Sequence, residues 1–219
     1  MSYRRRSTIS YAGESSIDRV VSETVAVLDA APSRVLVGIT GPPGAGKSTL
    51  AQAVVSRIQG ASYLPMDGFH LSNTVLARLG RCDRKGAADT FDAAGYVSVL
   101  HRVRSDYRLR DVYVPDFDRR LDEPVAAGHV IAADCRLVIT EGNYLGVPDG
   151  EWSGVRGLLD RLFYVDCPAD VRWERLVARH IAGGRTRAAA EAWVDEVDEP
   201  DATLIATTRQ WCDAVIDGC

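Results

Sequence analysis

The sequence predicts an α/β fold with a doubly wound parallel sheet flanked by helices, and three observations lead to it. Residues 34–40, RVLVGIT, form a near-continuous apolar run, which is typical of a strand covered on both faces. Further short apolar runs alternate with segments of helical periodicity, as in a parallel sheet whose strands are joined by helices. Polar signals follow three of the predicted strands, at the sheet edge where such folds bind ligands.

The elements expected in chain order follow from apolar periodicity and from glycine and proline positions. The predicted helices cover 15–28, 47–58, 70–80 and 96–107, one opening at Pro168, and two between about 187 and 211. The predicted strands or extended segments cover 34–40, 62–66, 112–118, 129–133, 136–142, 161–167 and 214–217. Residues 81–95 are polar and contain glycine, so we expect a surface loop there.

Composition limits the classes of function. The chain has 219 residues, 46% of them hydrophobic, and a net charge of −4, which fits one domain over 1–219. A negative balance predicts no general attraction to nucleic acid or to an anionic membrane, and no apolar run reaches the roughly 20 residues of a membrane span. The five cysteines form no CxxC pair, so we expect a cytoplasmic protein with reduced thiols. Residues 1–13 contain a basic triplet without a following apolar stretch, and we expect a flexible tail rather than a secretion signal.

A glycine-rich segment between a predicted strand and a predicted helix matches the phosphate-loop pattern GxxxxGK[ST]. Its backbone amides and the helix N-terminus can bind phosphate oxygens, while the lysine reaches the β- and γ-phosphates and the serine holds Mg²⁺. The alternative is an ordinary turn that caps a helix, but pattern and context together favour a nucleoside triphosphate site on a P-loop NTPase fold. The predicted ATP-binding residues are Gly41, Pro42, Pro43, Gly44, Ala45, Gly46, Lys47, Ser48 and Thr49.

Glu141 ends the predicted strand LVITE. An NTPase carries a carboxylate at such a place to hold Mg²⁺ directly or through water, and Mg²⁺ needs only one or two carboxylates. An ordinary charged residue at a strand end is the alternative. Beside the phosphate loop we predict Ser48 and Glu141 as the magnesium site.

The stretch YLPMDGFH, residues 63–70, ends an apolar run in one carboxylate, Asp67. Taken alone, Asp-Gly is a common turn dipeptide. Near a γ-phosphate, Asp67 could instead accept the proton of an attacking hydroxyl, or orient that hydroxyl. An NTPase that only hydrolyses would need a group that positions water, and Asp67 alone does not decide between these uses. His70 is a candidate substrate contact.

Arginines on and after the helix that opens at Pro168 predict a lid over about 179–190. Arg172, Arg175 and Arg179 are spaced three and four apart and so share one helical face. Such arginines can neutralise a transferring phosphoryl group, and Gly183-Gly184 could let the lid move. A solvated basic face is the alternative for some of them. Arg185 and Arg187 are further lid candidates.

The segments RCDRKGAADTF and VYVPDFDRR supply polar side chains for a small acceptor. Lys85, Tyr113, Asp118 and Arg119 are the candidate contacts, and each alone could equally be a solvated loop residue.

The motifs GPPGAGKST, YLPMDGFH, YVPDFDR, VITEGNYL and ERLVARH occur in the order shown by the phosphoribulokinase/uridine kinase/pantothenate kinase group of P-loop kinases, and the chain resembles that group over 35–216. RKGAADTFD and YVPDFDRRLDEPVA most closely resemble the small bacterial kinases associated with nucleosides or fructose transport. The chain lacks the serine- and histidine-containing segment of pantothenate kinases and the acceptor loop of uridine kinases.

The resemblance implies roles for individual residues. Asp67 would be the catalytic base, Lys47 and Ser48 would contact phosphate and Mg²⁺, Glu141 would be metal-associated, and Arg179 would be a catalytic lid arginine. The region of Tyr113, Asp118 and Arg119 would shape the acceptor site, and Tyr144 of VITEGNYL is a further candidate contact. Members of the group are often dimers, so a homodimer is an expected partner state.

The function expected from these features is ATP- and Mg²⁺-dependent transfer of a phosphoryl group to a hydroxyl of a small metabolite: a nucleoside, a sugar or a pantothenate-like alcohol. The alternative is a nucleotide-dependent switch that acts through a protein partner. A GTPase switch would carry an NKxD guanine-binding motif, which is absent from the sequence.

Overall fold

The computed structural model describes residues 15–218, and the predicted tail at 1–13 lies outside the described residues. Five strands form one parallel sheet in the order β2-β5-β1-β6-β7, and two further strands form an antiparallel hairpin. The strands are β1 Val35–Thr40, β2 Ala61–Pro65, β3 Val112–Asp118, β4 Glu123–Ile131, β5 Leu137–Glu141, β6 Arg161–Asp166 and β7 Ala214–Asp217. The helices are α1 Ser16–Ala30, α2 Lys47–Arg57, α3 Asn73–Leu79, α4 Ala93–Ser105, α5 Ala169–Ala182, α6 Arg187–Trp193 and α7 Glu199–Ala206. The predicted doubly wound α/β fold is therefore confirmed.

The central strand β1 is buried along its whole length, which explains its unbroken apolar sequence. Val35 and Val37 point to the side covered by α1 and α2, whereas Leu36 points to the side covered by α4. Because successive side chains of a strand alternate between faces, one apolar run supplies two hydrophobic cores.

The predicted strand at 129–133 belongs to the hairpin and not to the parallel sheet. It lies in the longer strand β4, which pairs antiparallel with β3. Only residues 119–122 connect β3 to β4. A link this short permits an antiparallel hairpin, since a parallel crossover needs a dozen or more residues.

Arg34, only 2% exposed, anchors the base of the hairpin to the sheet. Its guanidinium donates hydrogen bonds to the carbonyls of Ala132 at 2.6 Å and Cys135 at 2.7 Å, just beyond β4. It also donates to the carbonyl of Val103 in α4, at 2.6 Å. A buried cation that binds several carbonyl groups is a strong tether, so the hairpin is held at its base while its tip reaches toward the sheet edge.

The predicted loop at 81–95 is more ordered than expected. Two short 3₁₀ helices lie within it, Thr90 and Phe91 are buried, and α4 begins at Ala93. Asp92 caps that helix, accepting a 2.8 Å hydrogen bond from the amide of Gly95. The cap satisfies an amide of the first turn, and it starts α4 three residues before the prediction.

Beyond β6, helices α5 and α6 pack together around a small apolar cluster of their own. A π-helical turn, Val194–Asp198, joins α6 to α7. Among residues 15–218 no helix is long and apolar enough to cross a membrane.

Candidate active site

The phosphate loop joins β1 to α2 and requires glycine at its turning points. Gly44 and Gly46 have φ angles of 77° and 91°, a region that favours glycine. A Cβ on Gly41 would lie 2.4 Å from the carbonyl oxygen of Val165 in the neighbouring strand. The loop therefore closes against β6 only with these residues, and it presents the amides of the first turn of α2, which have no partner within the helix.

Two arginines of α5 support this loop from behind. Arg172, 5% exposed, donates to the carbonyl of Pro43 at 3.4 Å and pairs with Glu199 at 2.9 Å. Arg175 donates to the carbonyl of Gly44 at 3.3 Å. Arg172 is buried and Arg175 is exposed, but the guanidinium groups of both bind carbonyls of the loop. They position the phosphate loop.

Lys47 is almost fully buried, and its ammonium donates to the carbonyl of Pro42 at 2.9 Å. Burial lowers the pKa of Lys47 to about 8, although the nearby carboxylates of Glu141 and Asp67 favour its charged form. A lysine held against the loop in this way presents a poorly hydrated cation, which attracts phosphate strongly.

Glu141 ends β5 beside β1 and is 3% exposed. It accepts hydrogen bonds from the Ser48 hydroxyl at 3.2 Å and from the Tyr63 phenol at 2.8 Å. Burial and the charge of Asp67 raise the pKa of Glu141.

Ser48 and Glu141 fit a magnesium site. The Ser48 oxygen can offer a lone pair to the cation while its hydroxyl continues to donate to Glu141, and a cation would offset the cost of burying that carboxylate. Within residues 15–218 no group of three or more His, Cys, Asp or Glu side chains is placed to bind a metal. The donor set therefore suits a cation that is shared with phosphate oxygens and water, as Mg²⁺ commonly is.

Asp67 lies on a short 3₁₀ helix, Met66–Phe69, directly after β2. Its carboxylate accepts a 3.0 Å hydrogen bond from Arg119, in the tip of the hairpin. Burial alone would raise the pKa of Asp67, but the positive charges around it, from His70, Arg119 and Lys47, outweigh burial and lower it. Asp67 is thus an ionised carboxylate between the phosphate loop and the hairpin.

His70 lies beneath Asp67 rather than in the open cleft. Its Nδ1 donates to the Asp67 carbonyl at 2.7 Å, and its ring packs on Phe91 and Phe117, with centroids 3.9 and 4.8 Å apart. Burial lowers the pKa of His70 although the Asp67 carboxylate favours its charged form, and its ring braces the Asp67 turn.

A cleft of about 480 Å³ opens from Asp67 between α2 and the hairpin. It is lined by Ser48, Gln52, Val55, Ser56, Tyr63, Pro65, Asp67, Asp116, Phe117, Arg119, His129 and Glu141. Its volume suits a small metabolite. Because Ser48, Asp67 and Glu141 are in its wall, anything bound in it lies next to the phosphate loop.

Besides His70, four of the expected substrate contacts lie outside this cleft. Tyr144 is fully buried in the core, where its hydroxyl donates to the Gly86 carbonyl at 2.6 Å. Lys85 binds the side chains of Asn73 and Asp122. Asp118 accepts from the amides of residues 120 and 121 and so caps the hairpin turn, and Tyr113 is 62% exposed and does not line the cleft. Arg119 alone of the six candidates lines the cleft.

Of the predicted lid arginines, Arg179 faces the site. It is exposed on α5, and its charge interacts with those of Asp198, Arg119 and Asp67. Arg185 stacks on the Trp193 ring at 3.7 Å, and Arg187 pairs with Glu191 at 2.8 Å. Both side chains are engaged with residues of α6.

Sequence reasoning missed several residues of the cleft. Gln52 lies four residues after Ser48 on α2, and i,i+4 spacing on one helical face was a signal that could have found it. Tyr63 and His129 are brought together only by docking of the hairpin, with ring centroids 5.5 Å apart. No local pattern marks that contact.

The fold and this site define a class: a P-loop kinase whose phosphate loop lies beside an open cleft. The family model "Phosphoribulokinase / Uridine kinase family" matches residues 36–218. The chain belongs to this family, and it is an ATP-dependent kinase.

Similar proteins agree with this assignment. The chain is 34% identical to "Uncharacterized protein YggC" of Escherichia coli over 84% of this chain and 78% of that protein. It is 32% identical to "Putative uridine kinase C227.14" of Schizosaccharomyces pombe over 85% of this chain and 83% of that protein. Among crystal structures, a "putative fructose transport system kinase" from Silicibacter sp. TM1040 superposes with a TM-score of 0.83 at 32% identity, covering 93% of this chain and 99% of that one.

Proposed function

We propose that this kinase transfers the γ-phosphoryl group of ATP, bound with Mg²⁺, to a hydroxyl of a small metabolite held in the cleft. A nucleoside, a sugar and a pantothenate-like alcohol are the acceptor classes considered. One observation carries the proposal: the ionised carboxylate of Asp67 lies in the cleft wall, hydrogen-bonded to Arg119 and within the electrostatic reach of Lys47. A hydroxyl bound there would meet both its proton acceptor and the phosphoryl donor.

In this proposal the phosphate loop binds ATP, the phosphoryl donor. The amides at the start of α2 bind phosphate oxygens, and Lys47 neutralises charge on the β- and γ-phosphates. Arg172 and Arg175 keep the loop in this shape through the carbonyls of Pro43 and Gly44. Mg²⁺ held at Ser48 and Glu141 would supply further neutralisation of phosphate charge.

The transfer step uses Asp67. The acceptor oxygen forms a bond to the γ-phosphorus as the bond from that phosphorus to the β–γ bridging oxygen breaks, and the electron pair leaves with ADP. The proton of the acceptor hydroxyl passes to the Asp67 carboxylate. With a lowered pKa, Asp67 is ionised throughout the neutral range, and it first orients the hydroxyl and then takes its proton. Arg179 stabilises the charge on the transferred group.

The hairpin limits the access of water. Phe117 and His129 form one wall of the cleft, and α5 holds the phosphate loop from behind through Arg172 and Arg175. Positioning of the two oxygens and exclusion of water account for most of the catalysis of phosphoryl transfer.

A coupled ADP-release assay with a panel of nucleosides, sugars, polyols and pantothenate tests the proposal. We expect ADP release that depends on the acceptor, a phosphorylated product by mass spectrometry, and loss of that dependence in Asp67→Ala. ADP released at one slow rate with every compound, and unchanged in Asp67→Ala, would contradict the proposal and favour the nucleotide-dependent switch.

A further inference from the structure

The cleft wall contains more acidic than basic side chains. Three carboxylates line it, those of Asp67, Asp116 and Glu141, whereas its basic groups are Arg119 and His129. A bound acceptor is thus surrounded mainly by hydrogen-bond acceptors and negative charge.

Each basic group of the wall lies beside a carboxylate, although His129 Nε2 makes no hydrogen bond. Arg119 donates to Asp67 at 3.0 Å, and His129 Nε2 lies 3.3 Å from Asp116 Oδ2. Two further cations of the hairpin region lie outside the wall and are likewise engaged. Lys85 binds Asp122 at 2.8 Å, and Arg120 lies 3.6 Å from Asp118.

The three carboxylates have different orientations. Glu141 is turned toward Ser48 and Tyr63, on the phosphate side. Asp67 is assigned to the reacting hydroxyl. Asp116 is the third carboxylate, and it can bind the part of the acceptor that does not react. Its side chain is 46% exposed in the cleft wall. Of its two oxygens, Oδ1 accepts a 2.8 Å hydrogen bond from the amide of Phe117, which fixes the carboxylate in place.

We propose that the acceptor is an uncharged polyhydroxy compound, a sugar, polyol or the ribose of a nucleoside, and that Asp116 is its specificity-determining residue. This inference rests on the proposed function of the same cleft. A carboxylate can accept hydrogen bonds from two neighbouring hydroxyls at once, and Gln52, Ser56 and Tyr63 supply further polar groups to the cleft wall.

An acceptor that carries a carboxylate or a phosphate would fit this wall poorly. Its charge would lie near Asp67 and Asp116, and Arg119, the arginine of the wall, already donates to Asp67. Like charges placed together in an interface are strongly disfavoured, and a site built to hydrogen-bond hydroxyl groups discriminates strongly against compounds that leave its polar groups unpaired. The wall therefore selects by charge as well as by shape.

Matched pairs of acceptors that differ in one charged group test this directly. The pairs are pantothenol with pantothenate, glycerol with glycerate, and ribose with ribose 5-phosphate, each assayed by ADP release. We expect every pair with measurable turnover to favour the neutral member, by at least about tenfold in kcat/KM. A preference for the charged member would overturn the inference while leaving the proposed function in place. A panel in which no compound stimulates ADP release would overturn both.

The Asp116→Asn variant tests the assigned residue, since it keeps the shape of the side chain and removes its charge. We expect kcat/KM for the neutral acceptor to fall about tenfold. The ratio of kcat/KM for the neutral acceptor to kcat/KM for its charged counterpart should become smaller, and KM for ATP should stay unchanged. Asp122→Asn is the matched control, because Asp122 lies in the same hairpin as Asp116 but does not line the cleft. Its φ of 53° is one that asparagine tolerates. An unchanged preference in Asp116→Asn, or an equal change in Asp122→Asn, would contradict the role of Asp116.

Discussion

The phosphate loop and the acceptor cleft meet at Asp67, but they are built in different ways. The phosphate loop is one continuous segment, Gly41–Thr49, pressed against β6 and braced by arginines of α5. The wall of the acceptor cleft comes from four separate parts of the chain: α2, the β2 edge, the hairpin and the end of β5. A continuous segment can keep its chemistry wherever it occurs, whereas a wall made of distant parts changes with the docking of each part.

This difference predicts that the two regions can be impaired separately. Substitutions in the phosphate loop should affect the use of ATP whatever the acceptor. Substitutions in the hairpin should affect the acceptor and spare ATP.

The largest effect is expected at Lys47. We expect Lys47→Met to lower kcat/KM for ATP by about 10²–10³-fold, because a desolvated cation at the transferring phosphate is lost. Steady-state kinetics against ATP measures this, with Lys85→Met as the control. Lys85 is the only other lysine of the chain and lies outside the cleft, so its removal should change kcat/KM for ATP less than about threefold. Equal losses in the two variants would contradict the separation.

Arg119 tests the acceptor side. Arg119→Gln removes the charged hydrogen bond to Asp67, and we expect KM for the acceptor to rise roughly tenfold while KM for ATP is unchanged. The cation of Arg119 helps to lower the pKa of Asp67, so its loss raises that pKa. The acid limb of the kcat–pH profile should therefore move to higher pH. A limb that stays in place, or moves to lower pH, would contradict the assignment of Asp67 as the titrating group.

Gly68 tests the docking of the hairpin without removing a polar side chain. A Cβ on Gly68 would lie 2.5 Å from the carbonyl oxygen of Pro115 in β3, so Gly68→Ala must displace the hairpin. We expect an increase of a few-fold in KM for the acceptor, with KM for ATP unchanged. Gly157→Ala is the control, because a Cβ there meets no atom within 4 Å. A rise in KM for ATP as large as that for the acceptor would show that the two regions are not separable.

The smallest kinetic effect is expected at Tyr144. Its hydroxyl is buried and bonds to the Gly86 carbonyl, so Tyr144→Phe leaves that carbonyl without its partner and should lower the free energy of unfolding by about 1–2 kcal/mol. Chemical denaturation measures this loss. The KM for the acceptor should not change. An increase in that KM would indicate that Tyr144 contributes to acceptor binding.

The ATP-binding half of the site could be predicted from the sequence because the residues that indicate it are neighbours in the chain. The glycines, Lys47 and Ser48 are neighbours in the chain, and their meaning depends only on the strand before them and the helix after them. Asp67 and Glu141 could be predicted because the carboxyl ends of neighbouring parallel strands lie together.

The acceptor half could be predicted only in part because its contacts depend on how the hairpin docks. Arg119 was found, but Tyr63 and His129 lie 66 residues apart in sequence and meet only through the pairing and docking of β3 and β4. Tyr144 lies outside the cleft for a related reason. A tyrosine just after a strand can point to the cleft or to the core, and here the aromatic cluster with Phe91 and Trp152 places it in the core.

The most direct test of Asp67 as the junction of the two halves is a pair of measurements on Asp67→Asn. The affinity for ATP with Mg²⁺ is measured by calorimetry, and the rate of phosphoryl transfer to the acceptor is measured in a single turnover. We predict an affinity within about threefold of the unsubstituted protein and a transfer rate lower by roughly 10²–10⁴-fold. An unchanged transfer rate, or a loss of ATP affinity as large as the loss of rate, would contradict the account.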